Sequence, residues 1–289
     1  MGVKVALEFA HVKEALRVFA TAGATQGQEH IKPFHKYVAL RLVLEGGFLP
    51  DEITPHPPLV ASGSGDVRSL RFAPEAETKS ELTVFGGMKT KQIDVVVAKY
   101  GVGPVVAVSV KGTIKAYRNL VNRMEEAIGD STNVHVMYPG LVYGFLHLLR
   151  ANRADEGYDV KDVGITADGT ASPMIQRYSL ALAELTGRRF VRNDLTRYES
   201  VGVLLVENSP TRAGEIFEGF PTPGSPVRAD MFFAQLFKTY DLRFPARADH
   251  LPAARRCAWD ANSPVLRELR GEKDIALEEV LGYIPRISD

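Results

Sequence analysis

The sequence predicts an α/β (α+β) chain whose core runs helix, three strands, helix, strand. Three observations predict it. Strand-like runs at 81–85, 93–99 and 105–111, the last two rich in valine, follow one another closely, with helical apolar stripes before and after them. A turn-forming stretch, Lys99-Tyr100-Gly101-Val102-Gly103-Pro104, joins the last two runs. No clean linker divides the 289 residues, so one domain spanning 1–289 is expected.

Each element follows from its local pattern. Val5, Phe9, Val12, Leu16 and Phe19 recur at helical spacing and predict an amphipathic helix over 4–21. Pro33 suits a first helical turn, so a second helix is expected from Pro33 to Glu45, stopped by Gly46-Gly47. Residues 50–79 are rich in Pro, Gly and Ser and read as an irregular connection before the three strands. After them, Tyr117, Leu120, Val121, Met124 and Ile128 form the apolar stripe of a helix over 113–128. "NVHVMY" (133–138) reads as a strand and "LVYGFLHLLR" (141–150) as a helix. Beyond 150 the sequence suggests a helix near 173–186, a buried strand near 201–206, a loop over 208–227 and a helix near 228–240.

The totals narrow the class. Apolar residues make up 45% and charged residues 24%, ordinary for a globular enzyme. Formal net charge is zero, yet residues 86–124 hold seven basic side chains against Asp94 alone, and residues 260–289 carry four basic against seven acidic. A local basic surface on a balanced protein can meet phosphate, although a solvated charged face looks the same from charge alone. Cys257 is the one cysteine, which excludes an internal disulfide and a cysteine zinc site. Charges at Lys4, Glu8, Lys13, Glu14 and Arg17 interrupt any signal segment, and no uncharged run nears the roughly 20 residues of a membrane helix. A soluble, cytoplasmic protein is expected, with no membrane contact. The phosphate loop, the nucleophile elbow, the three-glycine dinucleotide fingerprint and the H-E-x-x-H zinc motif are all missing.

The chemistry concentrates in "KQIDVVVAKYGVGPVVAVSVKG", residues 91–112. Asp94, Ser109 and Lys111 break an otherwise apolar hairpin, and polar groups there need partners or a task. Ser109 and Lys111 are two apart on a strand, so they project from one face, roughly 6.6 Å apart. Asp94 lies beside them if the two strands pair. A carboxylate next to an ammonium suits a hard-metal phosphodiester site, with Asp94 holding Mg²⁺ and Lys111 serving a water. On the next helix, Lys115, Arg118, Asn122 and Glu125 share one side, so Glu125 can supply a second acid. Arg and Asn there can read base edges or bind phosphate. A Ser-Lys hydrolase dyad from Ser109 and Lys111 has no evident oxyanion hole.

With Asp before the hairpin and x-x-Lys after it, residues 81–138 resemble the PD-(D/E)xK nuclease superfamily. Ser109-Val110-Lys111 followed by thirteen residues and Glu125 is similar to the variant in type II restriction endonucleases that recognise sites with a CCGG core. The resemblance implies a restriction-endonuclease-like fold: a central mixed sheet flanked by helices, a catalytic core over about 28–150 and a C-terminal elaboration over 151–289 for DNA reading and oligomerisation. It implies Asp94 and Glu125 as metal ligands for one or two Mg²⁺, Lys111 at the attacking water, and Ser109 in the vacated acid position. The family's Arg-x-Asp-Arg reading motif falls on Lys115 to Arg118, where Arg118 matches and Tyr117 replaces the Asp. DNA contacts are expected from Lys115, Tyr117, Arg118, Asn119 and Asn122, and from Arg192 and Arg197 in the basic stretch 188–198. The superfamily often adds a first-helix acid; Glu29 is preferred over Glu45, because His30, Lys32, His35 and Lys36 make its surroundings look ligand-facing.

The expectation is therefore a Mg²⁺-dependent endonuclease cutting double-stranded DNA at a specific sequence, and a homo-oligomer, because a palindrome calls for symmetry. Two alternatives stay open: a structure-directed repair or transposon nuclease, and a DNA-binding protein without cleavage, since Ser109 stands where a strand acid usually does.

Overall fold

The computed structural model describes residues 7–23, 28–245, 252–271 and 273–288. A five-stranded mixed sheet forms its centre, in the order β1 (Ile53–Thr54), β6 (Val95–Lys99), β7 (Gly103–Thr113), β8 (Val142–Arg150), β9 (Ser200–Val206). β1, β6 and β7 pair antiparallel, whereas β7, β8 and β9 pair parallel. The hairpin between β6 and β7 turns through Gly101 and Gly103, both at positive φ, and a bulge falls at Val97/Ala98. A parallel step from β7 to β8 needs a crossover, and helix α3 (Leu120–Met137) supplies it.

Alternation along the strands assigns the two faces. Val106, Val108, Val110, Leu146, Leu148 and Leu204 point into one core, closed by α1 (Val12–Thr21), α2 (Lys32–Leu44) and α5 (Phe232–Arg243). Ala107, Tyr143, Phe145, Leu149, Val201 and Val203 point into the other, closed by α3 and α4 (Pro173–Glu184). The site residues sit where these layers meet at the sheet edge. There a small hairpin, β4 (Leu82–Val84) with β5 (Lys91–Ile93), leads into β6 through a bend at Asp94.

A second sheet binds the end of the chain to its beginning. Its order is β11 (Ile287–Ser288), β10 (Ala258–Asp260), β3 (Val67–Phe72), β2 (Leu59–Ser62). Trp259 is fully buried and donates its indole N–H to the carbonyl of Val43 in α2 at 2.7 Å. Gly47, at φ +68°, lets the chain pass so close to Cys257 that a Cβ would stand 2.1 Å from its carbonyl oxygen. Cys257 itself is buried and its thiol donates to the carbonyl of Gly47, a packing role.

The central mixed sheet flanked by helices appears as expected; two of the expected elements trade identities. Residues 133–138 form the last turns of α3, and residues 142–150 are strand β8. Every residue of β8 is buried between two strands, so its apolar run lacks the alternation that marks a strand. The valines near 134 packed into a helix against their propensity because Val134 fills the α3-side core. The connection over 50–79 contains β1, β2 and β3. The first helix begins at Val12 after a 3₁₀ turn at Glu8–Ala10, and the expected start at 4–6 lies outside the described residues. A boundary near 150 between core and elaboration does not follow the sheets, since β9 completes the central one and β10 pairs with β3. No helix among the described residues is long and apolar enough to cross a membrane.

The junction gives a direct stability test. Trp259→Ala should cost about 3–5 kcal/mol in urea unfolding, and Trp259→Phe, which loses the hydrogen bond but keeps most of the ring, about 1 kcal/mol. A Trp259→Ala protein that unfolds like the wild type would show that the C-terminal strand does not hold α2.

Candidate metal centre

Asp94 occupies the bend between β5 and β6, where the chain leaves the small hairpin and enters the sheet. Its carboxylate accepts the backbone N–H of Val110 on β7 at 2.7 Å. The side chain thereby takes the place of a ladder partner. It is 7% exposed, and burial raises its pKa against the opposing pull of the Val110 amide, Lys111 and Lys91.

Two further candidate ligands meet it. His35, buried in α2, places Nε2 at 3.7 Å from Asp94 Oδ1 and Nδ1 at 3.8 Å from Glu81 Oε1. One donor atom from each of His35, Glu81 and Asp94 can be chosen so that all lie within 4.8 Å of one another. His35 Nε2 is buried without a hydrogen-bond partner among the described residues. Burial, with smaller pushes from Lys111, His30 and Lys32, lowers the imidazole pKa to about 4 against the pull of Glu81. The ring is thus neutral at pH 7 and presents a lone pair. Burial and the neighbouring Asp94 raise the Glu81 pKa. A neutral imidazole and two carboxyls reluctant to ionise side by side are the features a divalent cation relieves. The residues fit such an ion. An imidazole with two carboxylates accepts Mn²⁺ or another transition ion at least as readily as Mg²⁺, so the donor set is not specific to the expected Mg²⁺. A cleft of about 430 Å³ opens beside His35 and Glu81, bordered by Lys32, Lys36 and Lys79.

Lys111 lies on the opposite side of Asp94. Its ammonium is 3.3 Å from Glu126 Oε1, and Arg123 also bonds Glu126 at 3.1 Å. Burial pushes the Glu126 carboxyl up, but Lys111 and Arg123 prevail and hold its pKa below the usual value. Lys91 pairs with the buried Asp130 at 2.5 Å in the next turn of α3. The site therefore joins α2, the β4–β5 hairpin, β7 and α3.

The structure brings Asp94 and Lys111 together and separates other expected residues. Glu125 is exposed, and Glu126, one position later, faces Lys111: α3 starts at Leu120, so the turn that meets β7 is set by its actual phase. Ser109 is 2% exposed and shares a 2.8 Å hydrogen bond with the Tyr143 hydroxyl, which occupies it inside the core. Glu29 is exposed and paired with Lys32, and Glu45 is paired with Arg41; neither joins the cluster, and His35 takes the first-helix position between them. Tyr117 is fully buried and donates to the Arg150 carbonyl, so it is a core residue and offers no DNA contact. Lys115, Arg118, Asn119 and Asn122 are exposed around the start of α3. Arg192 and Arg197 are exposed elsewhere, Arg197 at 3.8 Å from Asp194. Glu81 and Glu126 were the residues missed as ligands or partners. Glu81 had a faint signal, an acid directly before an apolar strand, and His35 a stronger one, a lone histidine in a helix buried almost all round.

No known protein family matches this chain, and neither a curated protein nor a solved structure matches it.

Two measurements follow from the titrations. A histidine with a lowered pKa contributes stability that is present above its ordinary value of 6.5 and lost as pH falls from there through about 4. Between pH 7 and pH 5 the metal-free wild type should lose about 2 kcal/mol more than His35→Gln; equal losses would show that His35 protonates freely. Calorimetric titration with Mn²⁺ should release protons from Asp94 and Glu81 and tighten as pH rises. His35→Ala and Asp94→Asn should each weaken binding tenfold or more, whereas Glu125→Gln should leave it unchanged. Unaltered binding in Asp94→Asn would remove this cluster as the metal site.

Proposed function

We propose that this chain is a divalent-metal-dependent endonuclease that hydrolyses phosphodiester bonds of double-stranded DNA at a specific sequence, in the manner of type II restriction enzymes. The observation that carries the reading is the meeting of Asp94, His35 and Glu81 within 4.8 Å at the sheet edge, under the field of Lys111. A divalent ion held by those three residues would supply positive charge to the scissile phosphate and acidify a bound water. The chain's own groups then have separable tasks. Asp94 is fixed by the Val110 amide and gives the ligand set its rigid member. His35 stays neutral and contributes a nitrogen donor. Lys111 orients the attacking water and offsets the charge on the phosphate, and Glu126 holds the ammonium in place. Exposed Lys115, Arg118, Asn119 and Asn122 flank the start of α3 and are suited to the DNA backbone and base edges. A sequence-specific cut in both strands calls for a symmetric homo-oligomer.

A second reading, DNA binding without cleavage, is favoured by one observation. Ser109 stands in place of the strand acid and is turned to Tyr143, so that position brings no ligand to the ion.

Plasmid and phage DNAs incubated with Mg²⁺ or Mn²⁺ distinguish the two. Discrete bands are expected, reduced at least a hundredfold in Lys111→Ala and Asp94→Asn, more than tenfold in Glu126→Gln, and scarcely in Glu125→Gln. Smears or nicks in place of bands would indicate cleavage directed by DNA structure. Intact DNA in every metal, with binding retained in EDTA, would favour the binding protein.

A further inference from the structure

The cleft of about 430 Å³ beside the metal cluster is built from three segments. Lys32, His35, Lys36 and Ala39 recur at helical spacing, so one face of α2 forms its first wall. Residues 55–57 and 77–81 form the other two. The His56 amide donates to the Thr78 hydroxyl at 2.9 Å, and the Thr78 amide to the His56 carbonyl at 3.1 Å. Lys36 pairs with Glu77 at 2.9 Å. These bonds tie the walls to one another, so the cleft is preformed. A cavity of this size encloses one small ligand rather than a length of duplex.

The lining divides by chemistry. Phe9, Pro33, Ala39, Pro55 and Pro57 are its apolar members. Proline has no N–H to offer, and the Pro57 carbonyl is already bonded to the Leu59 amide and His56 Nδ1, both at 2.7 Å. The Lys36 ammonium covers Phe9 at 5.5 Å from the ring centre, which leaves the prolines as the free flat surface. Such a wall has little for the hydroxyls of a sugar and suits the face of a base. The charged members cancel, three lysines against three carboxylates. Lys32 pairs with Glu29 and Lys36 with Glu77, whereas Lys79 is exposed and makes no ion-pair contact among the described residues. By itself, then, the cleft does not favour an anion. A divalent ion on His35, Glu81 and Asp94 would tip the balance to positive, beside the buried His35 Nε2 that has no hydrogen-bond partner among the described residues.

We propose that this cleft takes one unpaired nucleotide of a nucleic acid strand, its base against the prolines and its phosphate toward Lys79 and the wall of His35 and Glu81. The inference rests on the nuclease reading for its strand and deepens it, because the strand at the metal cluster then presents a nucleotide outside the base stack. Taking a base out of a duplex costs its pairing and stacking, and costs least where the base is already unpaired. A duplex with one unpaired nucleotide is therefore the better ligand, and a divalent ion is needed for tight binding.

The test is calorimetric titration of the full chain with dAMP and with deoxyribose 5-phosphate, in Mn²⁺ and in EDTA. dAMP should bind at least tenfold more tightly in Mn²⁺ than in EDTA, and at least tenfold more tightly than deoxyribose 5-phosphate, which lacks the base. Lys79→Ser alters an exposed side chain and should weaken dAMP at least threefold. Ala39→Leu, which fills the cleft, should weaken it more than tenfold. Unaltered Mn²⁺ binding in each variant checks that the fold is kept. A second arm measures anisotropy of a fluorescent 20-base-pair duplex in Mn²⁺, fully paired or with one unpaired nucleotide, on Lys111→Ala so that the DNA stays whole. The unpaired form should bind at least tenfold more tightly, and dAMP should compete with it. dAMP binding without that preference would overturn the strand assignment in favour of a free nucleotide. Equal binding of dAMP and deoxyribose 5-phosphate, or dAMP binding unchanged in both variants, would overturn the site. Plasmid cleavage is read separately. Cleaved plasmid with no dAMP bound strikes the cleft and leaves the nuclease reading, whereas intact plasmid with the unpaired duplex preferred strikes that reading and leaves the cleft.

Discussion

The hydrogen bond from the Val110 amide to the Asp94 carboxylate is the contact on which the site depends. It ends one strand and begins another, because Asp94 interrupts β5 and β6 where a continuous ladder would otherwise run. It also fixes the carboxylate at the edge of the sheet, within reach of α2 from one face and of Lys111 from the other. An exposed Asp could make the same bond and carry no strain. Here the burial that raises its pKa makes the bond costly to leave without a counter-charge, and the His35 Nε2, with no hydrogen-bond partner among the described residues, stands beside it.

The positive side chains at this edge are distributed to tune rather than neutralise it. Lys111 and Lys91 each hold an acid of α3, Glu126 and Asp130 respectively, and so lend Asp94 only part of their field. Asp94, Glu81 and His35 consequently face one another without a directly paired Lys or Arg among the described residues. This is the electrostatic difference between a structural ion-pair network, in which every charge is matched by contact, and a site with room for an added ion.

Much of the frame was legible in the sequence because its signals are local. The β6–β7 hairpin announces itself through valine runs and a glycine turn, and Asp94 and Lys111 stand out there as polar interruptions. The candidate ligands His35 and Glu81 were less legible, since they reach Asp94 only through the packing of α2 and the β4–β5 hairpin, contacts that no spacing rule encodes. Glu125 and Glu126 differ by one step on a helix, about 100° of rotation, and that phase depends on where the helix starts. Strand β8 was misread for a different reason. A strand covered on both faces has no polar side to alternate with, so its composition alone resembles that of a buried helix.

The bond between Trp259 and Val43 spans 216 residues of chain. Val43 lies two turns beyond His35 in the same helix, so one anchor of the helix that carries the imidazole arrives only after 216 further residues have been made. A nascent chain can form the β6–β7 hairpin early, from neighbouring residues. It cannot seat α2 in its final place until the segment around residue 259 has left the ribosome, because closing so long a loop must precede the contacts that reward it. The order of synthesis thus separates the two halves of the site in time: the aspartate and lysine are set first, and the histidine last.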